Sequence, residues 1–219
     1  MSSSFSPTQR TQEEFVTSLK ISHLSYPEAS LEKWRKKKYQ ILRSSKASSF
    51  LKRILETKAA KRGATQRFFG EAYVAANTRH KHGYYSSFKW LTNPRFSDSR
   101  KFTGKGMVKE FQVAFRDALL RYFGKSELVM LQKKAIGFEK QTGITPVPPD
   151  LWLVDRYGNH RFIEVKLPGD SIKARQIAGM AVIATYLLPK SKLSVEIINL
   201  DPTYGRAFDN FCRVLKNVG

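Results

Sequence analysis

From Val147 to Gly169 the chain runs Val-Pro-Pro-Asp-Leu-Trp-Leu-Val-Asp, then Arg-Tyr-Gly-Asn, then His-Arg-Phe-Ile-Glu-Val-Lys, and breaks at Pro168-Gly169. Two runs rich in β-branched and aromatic residues around a Gly-Asn turn predict a β-hairpin. Strand side chains alternate faces, so Asp150, Trp152 and Val154 share one face, as do Phe162, Glu164 and Lys166. A loop centred on Gly158 sets Trp152 opposite Glu164 and Asp150 opposite Lys166. Two carboxylates and a lysine then meet on one face at the hairpin's open end. A slip of one residue would separate them. Pro148 and Pro149 precede the first strand, where a missing N–H does little harm.

The flanking sequence predicts further helices and strands. Phe111, Phe115, Ala118, Leu119 and Tyr122 recur at 3- and 4-residue spacing, a helix over 107–123 with Glu110 beside the stripe and Gly124 at its end. A strand is expected near Leu128–Leu131. After the Pro-Gly break, Asp170 or Ser171 can cap a helix to about Leu187, with Ile177, Met180, Ala181, Ala184 and Leu187 as its buried stripe. Gln176 lies on that stripe's edge, able to point back at the carboxylates. A strand over 193–200 and an amphipathic helix over 204–215 follow.

The chain has 219 residues and a formal charge of +21. Such an excess attracts polyanions, DNA or RNA first among them, though an anionic membrane or a ribosomal-type role would carry the same signature. Residues 1–100 hold 20 Lys/Arg against 7 Asp/Glu and residues 101–219 hold 19 against 11, so the first half reads as a basic, mainly helical extension. Residues 1–28, rich in Ser, Thr and Pro, read as a disordered or wrapping tail. Leu31, Trp34, Ile41 and Leu42, then Phe50, Leu51, Ile54 and Leu55, make helical stripes. Lys36, Lys37, Lys38, Arg43, Lys52 and Arg53 around them, with Lys173 and Arg175 farther on, are candidate phosphate contacts. Over 64–100, Phe68, Phe69, Tyr73, Tyr84, Tyr85, Phe88 and Trp90 interleave with Arg79, Lys81 and Lys89. Aromatic faces can stack bases, and equally they can fill a small core. His80 and His82 flank Lys81, but two ligands do not make a metal site. A lone cysteine, Cys212, excludes an internal disulfide and fits a reducing compartment. No apolar run is long enough to span a bilayer, and no signal peptide is legible.

Two carboxylates a few ångströms apart repel each other unless a cation lies between them. Oxygen ligands with open positions suit Mg²⁺ or Mn²⁺, and a neighbouring lysine can orient an attacking water or offset phosphate charge. The bland alternative is a surface salt bridge, since a bare Glu-x-Lys arises often by chance. Against it stands the ordered set: a helix glutamate, Pro149-Asp150, Glu164-Val165-Lys166 after the apolar pair Phe162-Ile163, and helix Gln176.

These residues resemble the PD-(D/E)xK nuclease superfamily, and within it the virus-type replication–repair nuclease (VRR-NUC) domain. The resemblance spans about residues 107–200. It implies an α/β fold, a restriction-endonuclease-like mixed sheet flanked by helices, over a domain of 101–219 preceded by the extension 1–100. Asp150 and Glu164 match the family's metal-binding carboxylates, the main-chain carbonyl of Val165 a further ligand, Lys166 the catalytic lysine and Gln176 the supporting glutamine. Glu110 is the nearest match to the helix glutamate, with Asp117, Glu127 and Glu139 as competitors. In place of the family's glycine-rich turn before the aspartate, this chain has Thr142-Gly143-Ile144-Thr145-Pro146-Val147-Pro148-Pro149. The expectation is a Mg²⁺- or Mn²⁺-dependent deoxyribonuclease acting on branched DNA in repair, replication or phage-type processing, in the cytoplasm or on the nucleoid. A homodimer would suit a junction enzyme. An interbacterial toxin domain, delivered into another cell and restrained by an acidic immunity protein, carries the same residues. So does a non-catalytic basic nucleic-acid-binding protein whose hairpin acids are structural.

Overall fold

The computed structural model describes residues 19–61, 67–92, 107–187 and 192–203. Their elements are, in chain order, β1 (Lys20–Pro27), α1 (Glu28–Arg35), α2 (Gln40–Arg43), α3 (Ser49–Lys61), α4 (Phe69–Asn77), β2 (His82–Tyr85), a 3₁₀ turn (Lys89–Leu91), α5 (Met107–Thr142), β3 (Leu151–Val154), β4 (His160–Lys166), α6 (Ala174–Tyr186) and β5 (Leu193–Thr203). The predicted helix over 204–215 and most of the predicted tail lie outside the described residues.

Five strands form one mixed sheet in the order β1-β5-β4-β3-β2. The hairpin β3–β4 is antiparallel, as is β2 on β3, while β5 lies parallel to β4 and β1 parallel to β5. The hairpin forms as predicted with a different register. Val154 pairs with His160, Trp152 with Phe162 and Leu151 with Ile163, so the loop centres on Tyr157 rather than Gly158. The Asp155 carboxylate sets this loop by accepting from the N–H groups of Tyr157 (2.7 Å) and Asn159 (2.9 Å). The ladder therefore differs by two residues from the expected one. Because strand side chains alternate with period two, the face assignment survives.

Helices cover both faces. On one, Phe115, Tyr122 and Phe123 of α5 pack on Trp152, with ring centroids 5.6–5.8 Å apart. On the other, α3 and α4 close in where side chains are missing: a Cβ on Gly83 would lie 2.8 Å from Leu51, and one on Gly70 2.8 Å from Val165.

The described residues within 1–100 are thus no separate extension. They supply both edge strands and one helical layer of the same sheet. The expected tail is corrected at residues 20–27, which form β1 along Glu196–Thr203 of β5. The aromatics of 68–90 fill the core: Phe69, Tyr73, Tyr85, Phe88 and Trp90 are all buried. The strand expected at Leu128–Leu131 is helix. Gly124 (φ +82°) breaks α5 as expected, but the chain resumes helix to Thr142. Leu128, Leu131 and Ala135, all buried, follow helical rather than strand spacing. The buried stripe of α6 is also shifted. Ile177 is exposed, and Gly179, Met180, Ile183 and Leu187 face inward.

Candidate active site

The run before β3 brings Asp150 to the sheet by a set of latches. Prolines leave carbonyls without matching N–H groups, and buried hydroxyls take them up. Thr92 donates to the Pro146 carbonyl (2.8 Å) and Ser86 to that of Pro149 (2.7 Å), while the Ser86 N–H bonds the Asp150 carbonyl (2.8 Å). The Val147 N–H bonds the Arg175 carbonyl in the first turn of α6 (2.9 Å). Gly179 permits this approach, since a Cβ there would fall 1.8 Å from the Val147 oxygen. The segment carrying Asp150 is thereby locked to the helix carrying Gln176.

One row beyond Leu151–Ile163, Asp150 stands across from Glu164. Its Oδ2 accepts the Val165 N–H at 3.0 Å. Glu164 and Lys166 are both buried, and the Lys166 Nζ donates to Glu164 Oε1 at 2.9 Å. Gln176 ties them together. Its Nε2 donates to Glu164 Oε1, and its Oε1 accepts from Lys166 Nζ (3.1 Å) and from the Lys173 N–H (2.9 Å). The last of these contacts caps α6, so the side chain that meets the carboxylate also fixes the helix start.

Charge in this cluster is under-compensated. Burial, and then the Asp150 charge, push the Glu164 carboxyl well above the usual carboxylate range, against the pull of Lys166. Burial also raises Asp150, despite the Val165 N–H and Lys166. A third carboxyl shares the field: Glu71, in the first turn of α4, is raised by desolvation, then by Asp150, and further by Glu164. These acids have too little cationic charge among them to be ionised together.

The structure thus joins Asp150, Glu164, Lys166 and Gln176. It does not bring Glu110 to them. That carboxylate is bound at both oxygens by Arg53 (3.0 and 3.1 Å) and is 54% exposed. The helix carboxylate beside the pair is Glu71. Its signal was present in the sequence, as the one acid in the apolar run Phe-Gly-Glu-Ala-Tyr-Val-Ala-Ala. Ser86 and Thr92 carried no comparable signal. Among the competitors, Asp117 is held by Arg116, and Glu139 accepts from Thr145.

The candidate phosphate contacts divide. Arg53 is committed to Glu110, Lys36 to Glu32, and Lys52 to the Ser45 carbonyl. Lys37, Lys38 and Arg43 are exposed, and Lys173 and Arg175 are exposed at the start of α6 beside Gln176. His80 lies in the loop between α4 and β2, its Nδ1 hydrogen-bonded to the Thr78 carbonyl (2.8 Å). Among the described residues, no three His, Cys, Asp or Glu side chains are arranged so as to hold a metal ion. None of the described helices is long and apolar enough to cross a membrane. The chain matches no family model, no curated protein and no solved structure.

Proposed function

We propose that this protein is a divalent-metal-dependent nuclease that hydrolyses phosphodiester bonds in DNA, with branched or otherwise structured DNA as its substrate. The observation that carries this reading is the Asp150–Glu164 pair, with Glu164 buried and hydrogen-bonded by both Lys166 and Gln176, in a chain of charge +21. The donor set fits a hard cation. Two carboxyls held above their usual range share a single lysine, and Mg²⁺ needs only one or two protein carboxylates, with waters and phosphate completing its shell. Asp150, Glu164 and the Val165 carbonyl would hold it, with Glu71 near enough to contribute charge. When bound, the ion would polarise the phosphoryl oxygen and acidify water.

The chain's own residues have separate tasks. Lys166, hydrogen-bonded to Glu164 and Gln176, presents an ammonium where an attacking water or a phosphate oxygen must sit. Gln176 fixes both partners through one amide and keeps Glu164 from rotating. The hydrogen bond from the Val165 N–H orients Asp150. The exposed Lys173 and Arg175 flank this end of the sheet and can neutralise adjacent phosphates.

Linear, nicked, flap and four-way DNA, with matching RNA, should be incubated with Mg²⁺ or Mn²⁺. Cleavage of a DNA structure is expected, abolished by EDTA and by Asp150→Ala, Glu164→Ala or Lys166→Ala in folded protein. Activity that persists in excess EDTA, or in Glu164→Ala, would overturn the reading.

A further inference from the structure

A second concavity lies on the same sheet face as the carboxylate pair. It has a volume of about 380 Å³, between the start of α3, the edge strand β2 and α5. That volume falls at the lower end of the range for small-molecule sites, ~300–1,000 Å³. Phe50 and Tyr84 give it aromatic walls, their ring centroids 6.1 Å apart and tilted by 59°. Tyr84 is held in place from behind, stacked on Trp152 at 4.8 Å. His82, Asp117 and Arg121 supply polar groups around these rings. Arg121 lies close enough to the Tyr84 hydroxyl to act on it electrostatically. Arg116 engages Oδ1 of Asp117 through both Nε and a terminal nitrogen.

An aromatic wall, a guanidinium, an imidazole and a carboxylate together suit a nucleobase. The rings offer stacking surface, and the charged groups offer donors and an acceptor for its edge. The site's position connects it to the proposed chemistry. Tyr84 pairs with Trp152 on β3. Two residues on, the Ser86 N–H bonds the Asp150 carbonyl. At about 3.4 Å per strand residue the separation is ~7 Å, or about two base steps of a nucleic-acid strand.

We propose that this concavity receives one unpaired nucleobase of the DNA substrate, about two nucleotides from the cleaved bond, so that the enzyme selects structures with an extruded or single-stranded base at that position. This inference rests on the nuclease reading for its register along the strand, while the base pocket itself can be tested without cleavage.

The experiment measures binding of DNA carrying 2-aminopurine at successive unpaired positions, using full-length Glu164→Gln protein so that no strand is cut. Fluorescence should change sharply at one position. Replacing that base by an abasic site should weaken binding roughly tenfold. Phe50→Leu and Arg121→Gln should each remove most of this abasic penalty while leaving fully paired duplex bound within about twofold. Two variants guard against misfolding, since Arg121 is exposed and Phe50→Leu keeps an apolar side chain. A response spread evenly over all positions, or an abasic penalty unchanged in both variants, would overturn the proposal. Displacement of the probe by free nucleoside monophosphate at equal concentration would overturn its assignment to the DNA strand. Failure of the wild-type protein to cleave these DNAs with Mg²⁺ or Mn²⁺, with the pocket response intact, would count against the nuclease reading alone.

Discussion

Strand β4 takes part in two acid–base pairs, each with a buried glutamate and one near each end, and they behave in opposite ways. Near the hairpin loop, Arg161 grips Glu196 of β5 through Nε (2.9 Å) and a terminal nitrogen (2.6 Å), and Ser194 adds a third hydrogen bond (2.7 Å). Burial alone would raise the Glu196 carboxyl, but Arg161 and Ser194 override it and hold the group below the usual range. At the other end Lys166 meets Glu164 with a single ammonium hydrogen bond, and the Asp150 and Glu71 carboxyls share its field. Glu164 ends up raised, not lowered. Both glutamates are buried, at 6% and 2% exposure, so burial does not distinguish them. Compensation does. A forked, bidentate guanidinium satisfies its partner, whereas a point-charge lysine shared among several acceptors leaves room for another cation.

The sharpest way to break this contrast is to neutralise each glutamate in turn. Glu164→Gln should lower cleavage on the order of 10³-fold, about 4 kcal/mol of barrier, while leaving thermal stability in EDTA unchanged or improved. Glu196→Gln should do the reverse. It should cost about 2 kcal/mol of stability, less than the ~3–5 kcal/mol of a fully buried pair because Arg161 retains 30% exposure, and change cleavage less than twofold at temperatures where the protein is folded. Denaturant melts and single-turnover rates on both variants read the two effects separately. If Glu164→Gln destabilised the fold as Glu196→Gln does, the two pairs would be of one kind and the site structural.

The pH dependence of stability sharpens the comparison at smaller amplitude. Glu71 and Glu164 have folded values of about 8, and Asp150 about 6, all above their unfolded values. The folded state therefore holds protons that the unfolded state releases first. Metal-free stability should be highest near pH 4–5 and fall as pH rises toward about 8. Glu196 acts with the opposite sign, since its lowered value removes stability only as pH falls below the carboxylate range. Urea midpoints in EDTA across pH 5–8 should slope downward, and both Glu164→Gln and added Mg²⁺ should flatten that slope. A flat wild-type profile in EDTA would mean that the carboxyls are compensated from within the chain.

Much of this site was legible in the sequence because strand alternation is robust. Asp150, Glu164 and Lys166 stay on one face even though the hairpin loop centres one residue earlier than expected, since the register changes by an even number. Gln176 was legible as the polar edge of an apolar helix. The N-terminal half was misread because its composition reports charge, and charge does not report topology. Lys20–Pro27 looked like part of a polar tail, yet β1 needs only the exposed edge of β5 and buries little beyond Tyr26. The second half of α5 was misread because Leu128–Leu131 is too short a window to separate helix from strand, which Ala135 would have decided. The latches Ser86 and Thr92 could not be found, since a serine or threonine serving a carbonyl 63 or 54 residues away leaves no local pattern.

The smallest expected effect separates two first-turn glutamates, of which the sequence analysis singled out only Glu110. Glu71 and Glu110 each begin an apolar helix, but one shares a field with Asp150 and Glu164 while the other lies in solvent beside Arg53. Exposed ion pairs contribute ~0–1 kcal/mol, so Glu110→Gln should shift stability by less than about 1 kcal/mol, with cleavage and Mn²⁺ affinity unchanged. Glu71→Gln removes one of three mutually repelling acids. Metal-free protein should therefore gain stability above neutral pH, yet lose Mn²⁺ affinity by about tenfold, the lower end of what supporting groups contribute at metal sites. Calorimetric titration of both variants with Mn²⁺, followed by EDTA melts at pH 8, reads both quantities. A gain in stability without a loss of affinity would make Glu71 a bystander to the cation. A loss in Glu110→Gln but not in Glu71→Gln would return the helix role to α5 and require that helix to move toward the sheet when the ion binds.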